Sequence, residues 1–163
     1  GTKYKGFLYA GLMIINNEPF LIEYNVRMGD PECQTILPTL DTDIVKILQS
    51  CINENLIEID INWINKKSLC VVLCSNNYPD KYEKNIIINN LEKLNLDENN
   101  YLFHAGTKKQ DKKIYAVGGR VLNFISISNS YSAAKRNIYK NLKKLNWEKG
   151  FYRKDIGHNV IDK

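Results

Sequence analysis

The sequence predicts an α+β fold: an α/β segment over residues 1–65, then a compact β-rich unit over residues 66–163 with one main helix. Three observations carry this. Two apolar, β-rich runs near the start flank a turn signal. Helical periodicity surfaces twice, at 42–53 and 131–146. Between the helices lie short strand-like runs separated by turns rich in Asn, Gly, Pro and Asp. The composition, 44% hydrophobic and 25% charged, supplies enough apolar material for a core and is not that of a disordered chain.

Residues 6–15 and 20–26 read as the two strands of a β-hairpin around Asn16-Asn17-Glu18-Pro19. Met28-Gly29-Asp30-Pro31-Glu32 is a loop that leads into a helix with Pro31 near its start. In the helix over 42–53, Ile44, Val45, Ile47, Leu48, Cys51 and Ile52 form one face, with Asp41 or Thr42 as cap. The pattern weakens over 54–67, which places the boundary near residue 65. Strand-like runs follow at 69–74, 86–88, 101–104, 114–117 and 121–127. The second helix, at 131–146, aligns Ala134, Ile138, Leu142 and Leu145, and Ser130 suits its N-cap. No internal repeat is present.

Composition narrows the function classes. No apolar run approaches the roughly 20 residues that span a bilayer, and no signal-peptide pattern opens the chain. No membrane association and a cytoplasmic location are therefore expected. The net charge of +5 comes from lysines scattered among acids, which reads as a solvated surface, and no nucleic-acid partner is expected. Abundant Lys and Asn fit an A/T-rich genome. Cys33, Cys51, Cys70 and Cys74 form no C-x-x-C pair and lie away from His104 and His158, which argues against zinc and for buried free thiols in a reducing compartment.

The segment Glu23-Tyr24-Asn25-Val26-Arg27-Met28-Gly29-Asp30-Pro31-Glu32 carries the chemistry. On a strand, residues i, i+2 and i+4 share a face, which aligns Glu23, Asn25 and Arg27 and sends Tyr24, Val26 and Met28 to pack on the other side. A carboxylate and a carboxamide oxygen suit Mg²⁺, which takes oxygen ligands at about 2.0–2.1 Å and completes its shell with phosphates and water. A guanidinium binds an anionic oxygen through two parallel hydrogen bonds. Spacing alone also fits an edge strand with a polar face to water. Arg27 is one of only four arginines, and Gly29-Asp30-Pro31-Glu32 adds two carboxylates close by, which favours the site.

Tyr4-Lys5-Gly6-Phe7-Leu8-Tyr9-Ala10-Gly11-Leu12-Met13 and Leu21 to Leu40 together resemble the ATP-grasp segment of the glycinamide ribonucleotide synthetases, whose pattern runs through LYAGLM to E-F-N-x-R-F-GDPE-x-Q. Here Tyr24 and Met28 stand for phenylalanines and Cys33 for threonine, with the polar set intact. Tyr78-Pro79 with Tyr82, Phe103-His104-Ala105-Gly106-Thr107, Gly118-Gly119-Arg120-Val121-Leu122 and Tyr152-Arg153-Lys154-Asp155-Ile156-Gly157 match later blocks of that family in order. Asn77 and Asn85 replace glycines, a change that positive-φ turns tolerate.

The resemblance implies the second half of an ATP-grasp domain followed by a small β-rich C-terminal domain. It implies ATP as co-substrate, Mg²⁺ or Mn²⁺ bound by Glu23 and Asn25, and a phosphate or acyl-phosphate contact from Arg27, the candidate catalytic residue. Glycine and 5-phosphoribosylamine are the implied substrates, with glycyl phosphate as intermediate and a monomeric full-length protein expected. Asp30 and Glu32 either touch substrate or hold the loop. A structural role is expected for His104, a hairpin turn or bulge for Gly118-Gly119, and ion pairs for Arg120 and Arg153, the latter with Asp155 or a neighbour. The chain shows no glycine-rich phosphate-covering loop and no nucleotide-binding lysine strand, which in the family lie earlier, so these 163 residues alone are expected to be inactive. The competing readings are another ATP-grasp carboxylate–amine ligase and a non-catalytic binding module with a vestigial metal site.

Overall fold

The computed structural model describes residues 1–161 and divides into two compact units, the first Gly1–Ile64, the second beginning at Asn65.

In the first unit, β1 (Tyr9–Ile15) and β2 (Glu18–Asn25) form an antiparallel hairpin. The connecting Asn16 and Asn17 both take positive φ, 51° and 67°, the backbone that matches a two-residue turn to the twist of its strands. The register slips between Gly11 and Leu12, so that one side of the hairpin carries a bulge at Ile22. Pro31 sits at the N-cap of a short helix, α1 (Glu32–Ile36). A longer helix, α2 (Ile44–Ile52), is capped by Asp43, whose Oδ1 accepts a 2.7 Å hydrogen bond from Val45 N. The expected caps Asp41 and Thr42 do not serve. Thr42 instead accepts from Asn62 N through Oγ1, which ties the returning chain to the segment before α2. Only part of the expected α2 face is covered: Ile44, Ile47 and Cys51 are half-buried, while Val45, Leu48 and Ile52 are exposed.

The second unit holds the core. Its strands are β3 (Lys67–Ser75), β4 (Ile86–Ile87), β5 (Asn100–His104), β6 (Thr107–Gln110), β7 (Lys113–Ala116), β8 (Arg120–Ser128) and β9 (Gly150–Phe151). They form a four-stranded antiparallel sheet of order β5-β8-β3-β9 and a three-stranded one of order β4-β7-β6. The helix α3 (Tyr131–Leu145) lies on the larger sheet, and α4 (His158–Ile161) packs beside it. β8 is buried without a break from Val121 to Ile127, and one face of the sheet supplies the core: Leu69, Val71 and Leu73 from β3 and Leu122 and Phe124 from β8 cluster with Ala134, Ile138, Leu142 and Leu145 of α3. Asn141 is the buried polar residue of α3, and it exchanges two hydrogen bonds with the backbone of Asn95, pinning that loop.

Ser130 Oγ accepts from Ala133 N at 3.2 Å, as the sequence predicts for the α3 cap. Asn146 closes the helix in the left-handed conformation at φ 44°. Asn77 and Asn85 also take positive φ, 70° and 60°, so the backbone that glycine would give is kept by asparagine. The Gly118-Gly119 pair is not a hairpin turn. It connects β7 to β8, which belong to different sheets, and the local pattern contains no signal of that switch. At this corner the backbone of Gly106 passes so close that a Cβ on it would lie 2.6 Å from Gly118 Cα, and one on Gly118 would lie 2.9 Å from Gly106 Cα.

Candidate functional site

The polar pair predicted on the second strand is brought together. Asn25 Nδ2 donates a 2.9 Å hydrogen bond to Glu23 Oε1, so the two side chains share one face of β2. Across the hairpin, Gly11 pairs with Glu23 and Tyr9 with Asn25. A Cβ at Gly11 would come 3.3 Å from Glu23 Cγ, tighter than ordinary van der Waals contact, so glycine leaves the carboxylate its room.

Arg27 departs from the simple alternation. The strand ends at Asn25 and the chain bends through Val26 and Arg27. The exposed Arg27 guanidinium donates to Met28 O at 3.0 Å, and among the described residues no hydrogen bond joins it to Glu23 or Asn25. Tyr24 and Val26, expected to pack, are 61% and 69% exposed, because the hairpin is a two-stranded sheet.

Tyr9, which the sequence did not single out, and Glu32, which it left between substrate contact and holding the loop, flank the pair. Tyr9 Oη lies 3.5 Å from Glu32 Oε1, and a Cβ at Gly29 would meet both Glu32 Oε2 and the Tyr9 ring. The loop is therefore folded so that Glu32 lies beside the residue opposite Asn25. The hairpin turn fixes that register, and the Asn-Asn pair at its tip was the available signal. Asp30 accepts from Gln34 Nε2 at 2.7 Å, across the start of α1.

Metal fit follows from the donor set. The Glu23–Asn25 hydrogen bond uses one carboxylate oxygen and the amide nitrogen, which leaves Glu23 Oε2 and Asn25 Oδ1, two hard oxygens, for a divalent cation. Among the described residues no group of three or more His, Cys, Asp or Glu side chains converges. A pair of protein oxygens with the rest of the shell from phosphate and water is how Mg²⁺ is ordinarily held beside nucleotides, so these residues fit such an ion.

The second unit gives residues of its matched blocks partners within the chain. His104 ends β5 and shares a 3.0 Å hydrogen bond between Nδ1 and Thr107 Oγ1. Arg120 Nε donates to Tyr78 Oη at 3.5 Å. Arg153 donates to Asp155 through Nε at 3.0 Å and through Nη2, and this pair holds the Asp155 carboxyl down at about 2. The cysteines are free, as expected, but only Cys70 is buried; Cys33, Cys51 and Cys74 are half-buried. Burial pushes the Cys74 thiol up, with Arg120 opposing.

Comparison with known proteins decides the family. The model of the phosphoribosylglycinamide synthetase C domain matches residues 68–159, more than half of the chain. The chain belongs to the phosphoribosylglycinamide synthetase family. The model of that family's ATP-grasp (A) domain matches residues 1–33, which include the hairpin, Glu23, Asn25 and Arg27. The phosphoribosylamine–glycine ligase of Fusobacterium nucleatum is 44% identical over 153 residues, 93% of this chain and 36% of that protein. The enzyme of the same name from Brucella melitensis is 39% identical over the whole chain and 38% of its own length. Among solved structures, phosphoribosylamine–glycine ligase from Thermotoga maritima matches 92% of this chain and 36% of its own, with a TM-score of 0.73 at 32% identity. The chain thus spans a little over a third of the length of these relatives. No helix among the described residues is long and apolar enough to cross a membrane.

Proposed function

We propose that this chain forms the metal-contacting strand, the phosphate-contacting bend that follows it and the C-terminal domain of a phosphoribosylamine–glycine ligase. The observation that carries the reading is the Glu23–Asn25 pair, hydrogen bonded on one face of β2 inside the segment that matches the ATP-grasp domain. The reaction joins glycine to 5-phosphoribosylamine at the expense of ATP. The glycine carboxylate takes the γ-phosphoryl group, releasing ADP. The amine then attacks the acyl carbon of glycyl phosphate, and glycinamide ribonucleotide and phosphate leave.

In this reading residues 1–65 are the end of the ATP-grasp domain and residues 66–163 the C-terminal domain. Glu23 and Asn25 would hold a divalent cation, Mg²⁺ or Mn²⁺, through their side-chain oxygens. Bound there, the ion supplies charge neutralisation to the ATP phosphates. The local contacts support this reading. Gly11 leaves room for the Glu23 carboxylate, and the Glu23–Asn25 hydrogen bond fixes both side chains before substrate arrives. Arg27, on the bend past the strand, exchanges its contact with the Met28 carbonyl for a phosphate or acyl-phosphate oxygen. No side chain acts as a covalent nucleophile, because positioning and charge stabilisation suffice for phosphoryl transfer.

The test is glycine- and phosphoribosylamine-dependent ADP release by the full-length protein. Glu23→Ala lowers kcat by about 100-fold or more, the scale expected when a group that stabilises transition-state charge is removed. Unchanged turnover in Glu23→Ala would sink the proposal and favour a non-catalytic module.

A further inference from the structure

The helix α3 carries a charge pattern that neither its packing nor the proposed reaction uses. It holds five cations, Lys135, Arg136, Lys140, Lys143 and Lys144, and no acid. The acid-free stretch is longer still, from Lys112 to Trp147, although the chain as a whole has 18 acids. Genome composition raises lysine everywhere; it does not remove acids from one helix.

Arg136, Lys140 and Lys143 stand at i, i+4 and i+7, on the side of α3 away from Ala134, Ile138, Leu142 and Leu145, and all three are exposed. Like charges at these spacings destabilise a helix. The last turn is where the helix dipole offsets Lys143 and Lys144, but Arg136 and Lys140 sit too early for that. Lys144 is engaged by Asn95 Oδ1 at 2.7 Å, and Lys135 lies over the Tyr139 ring at 5.8 Å. None of Lys135, Arg136, Lys140 and Lys143 forms an ion pair among the described residues. Among the described residues, the segments beside this face bring Arg153, Asp155 and His158, and Asp155 is already paired with Arg153.

A groove of about 490 Å³ runs along the face. Half-buried Tyr139 and Ile161 line it together with the three exposed cations. The Tyr139 hydroxyl is satisfied within the chain, donating to Arg153 O at 3.1 Å, so the half-buried ring meets the groove as apolar surface bordered by the Lys135 ammonium. Apolar lining between cationic edges suits a segment with apolar side chains on one face and carboxylates flanking them. We propose that this face of α3 docks an acidic amphipathic helix of a protein partner. A nucleic-acid backbone would use the cations and leave Tyr139 and Ile161 without a counterpart, so the peptide is the better fit. The inference does not depend on the ligase reading.

The test is fluorescence anisotropy with the full-length protein and a fluorescein-labelled peptide helix bearing leucines on one face and glutamates beside them. Saturable binding is expected, weakening about tenfold or more as salt rises from about 0.05 M to 0.3 M. R136E/K140E/K143E abolishes it. R136Q/K140Q/K143Q, which removes charge without adding any, weakens it at least about tenfold with an unchanged melting temperature. I161D weakens it as well, which pure charge attraction would not predict. No saturable binding, or equal binding of a scrambled peptide of the same composition, overturns the proposal. So does tighter binding of duplex DNA or of phosphatidylserine vesicles than of the peptide, lost in the same triple variants.

Discussion

Arg153 reaches Asp155 with two of its guanidinium nitrogens, and the acid responds: its carboxyl titrates at about 2, below the usual carboxylate range, chiefly because of that hydrogen bonding. A carboxyl depressed in the folded state contributes stability above its unfolded value of about 3.9 and loses it as pH falls through the folded value. The pair therefore works in full above about pH 4 and fades between there and about pH 2. NMR titration of the Asp155 carboxyl should give a midpoint near the lower figure, and Arg153→Gln should return it to about 3.9. At this scale the sequence was most legible where chemistry is local. The Arg153–Asp155 pair was visible as neighbours two apart. Glu23 and Asn25 share a face because a strand alternates. Arg27 fell outside that rule since β2 ends at Asn25, and strand ends are set by cross-strand pairing, which a single strand does not encode. The α2 cap was missed by one or two positions because Asp41, Thr42 and Asp43 all offer an oxygen, and only the backbone angles choose among them.

The element most fully written in the sequence is α3. Its buried residues fall at helical spacing, its N-cap is Ser130, and its end is a left-handed Asn146. Ser130→Ala removes the oxygen that accepts from Ala133 N, and the expected cost is about 1 kcal/mol in a urea titration, with the midpoint lowered and the slope unchanged. A loss below about 0.3 kcal/mol would mean that water replaces the cap, at the low end of such substitutions. Elements without an apolar pattern were not legible. The residues of β6 are Thr-Lys-Lys-Gln, whose strand character comes from pairing with β7 alone, and β9 is two residues held against the end of β3. The sheet change at Gly118-Gly119 was hidden for the same reason: strand order is a property of partners, not of the residues in the turn.

Taken as a whole, the chain distributes its apolar burial unevenly. The second unit contains the contiguous core, while the hairpin of the first exposes Leu12, Met13, Ile14, Ile15, Phe20, Leu21, Ile22 and Tyr24, each at least half exposed. A two-stranded hairpin is marginal in water without a further strand or a covering layer. In the 163-residue chain, amide exchange should therefore be at least about 100-fold faster in β1 and β2 than in the paired centre of β3 and β8. Equal protection in both would mean that the hairpin has found a cover of its own. The apolar runs announced these strands correctly; that little covers them is not a local property, because a strand has the same pattern whether or not its neighbours are present.

The crossing of Gly106 and Gly118 has a consequence for how this protein can vary. Each glycine is the obstacle to a side chain on the other, so no order of single replacements leads through that corner: whichever position changes first meets the backbone of its partner. Covariation, which elsewhere lets contacting residues drift together, has no route here. Two positions twelve apart in sequence are frozen jointly, by lack of space and not by chemistry, and a randomised library selected only for folding would return the same pair.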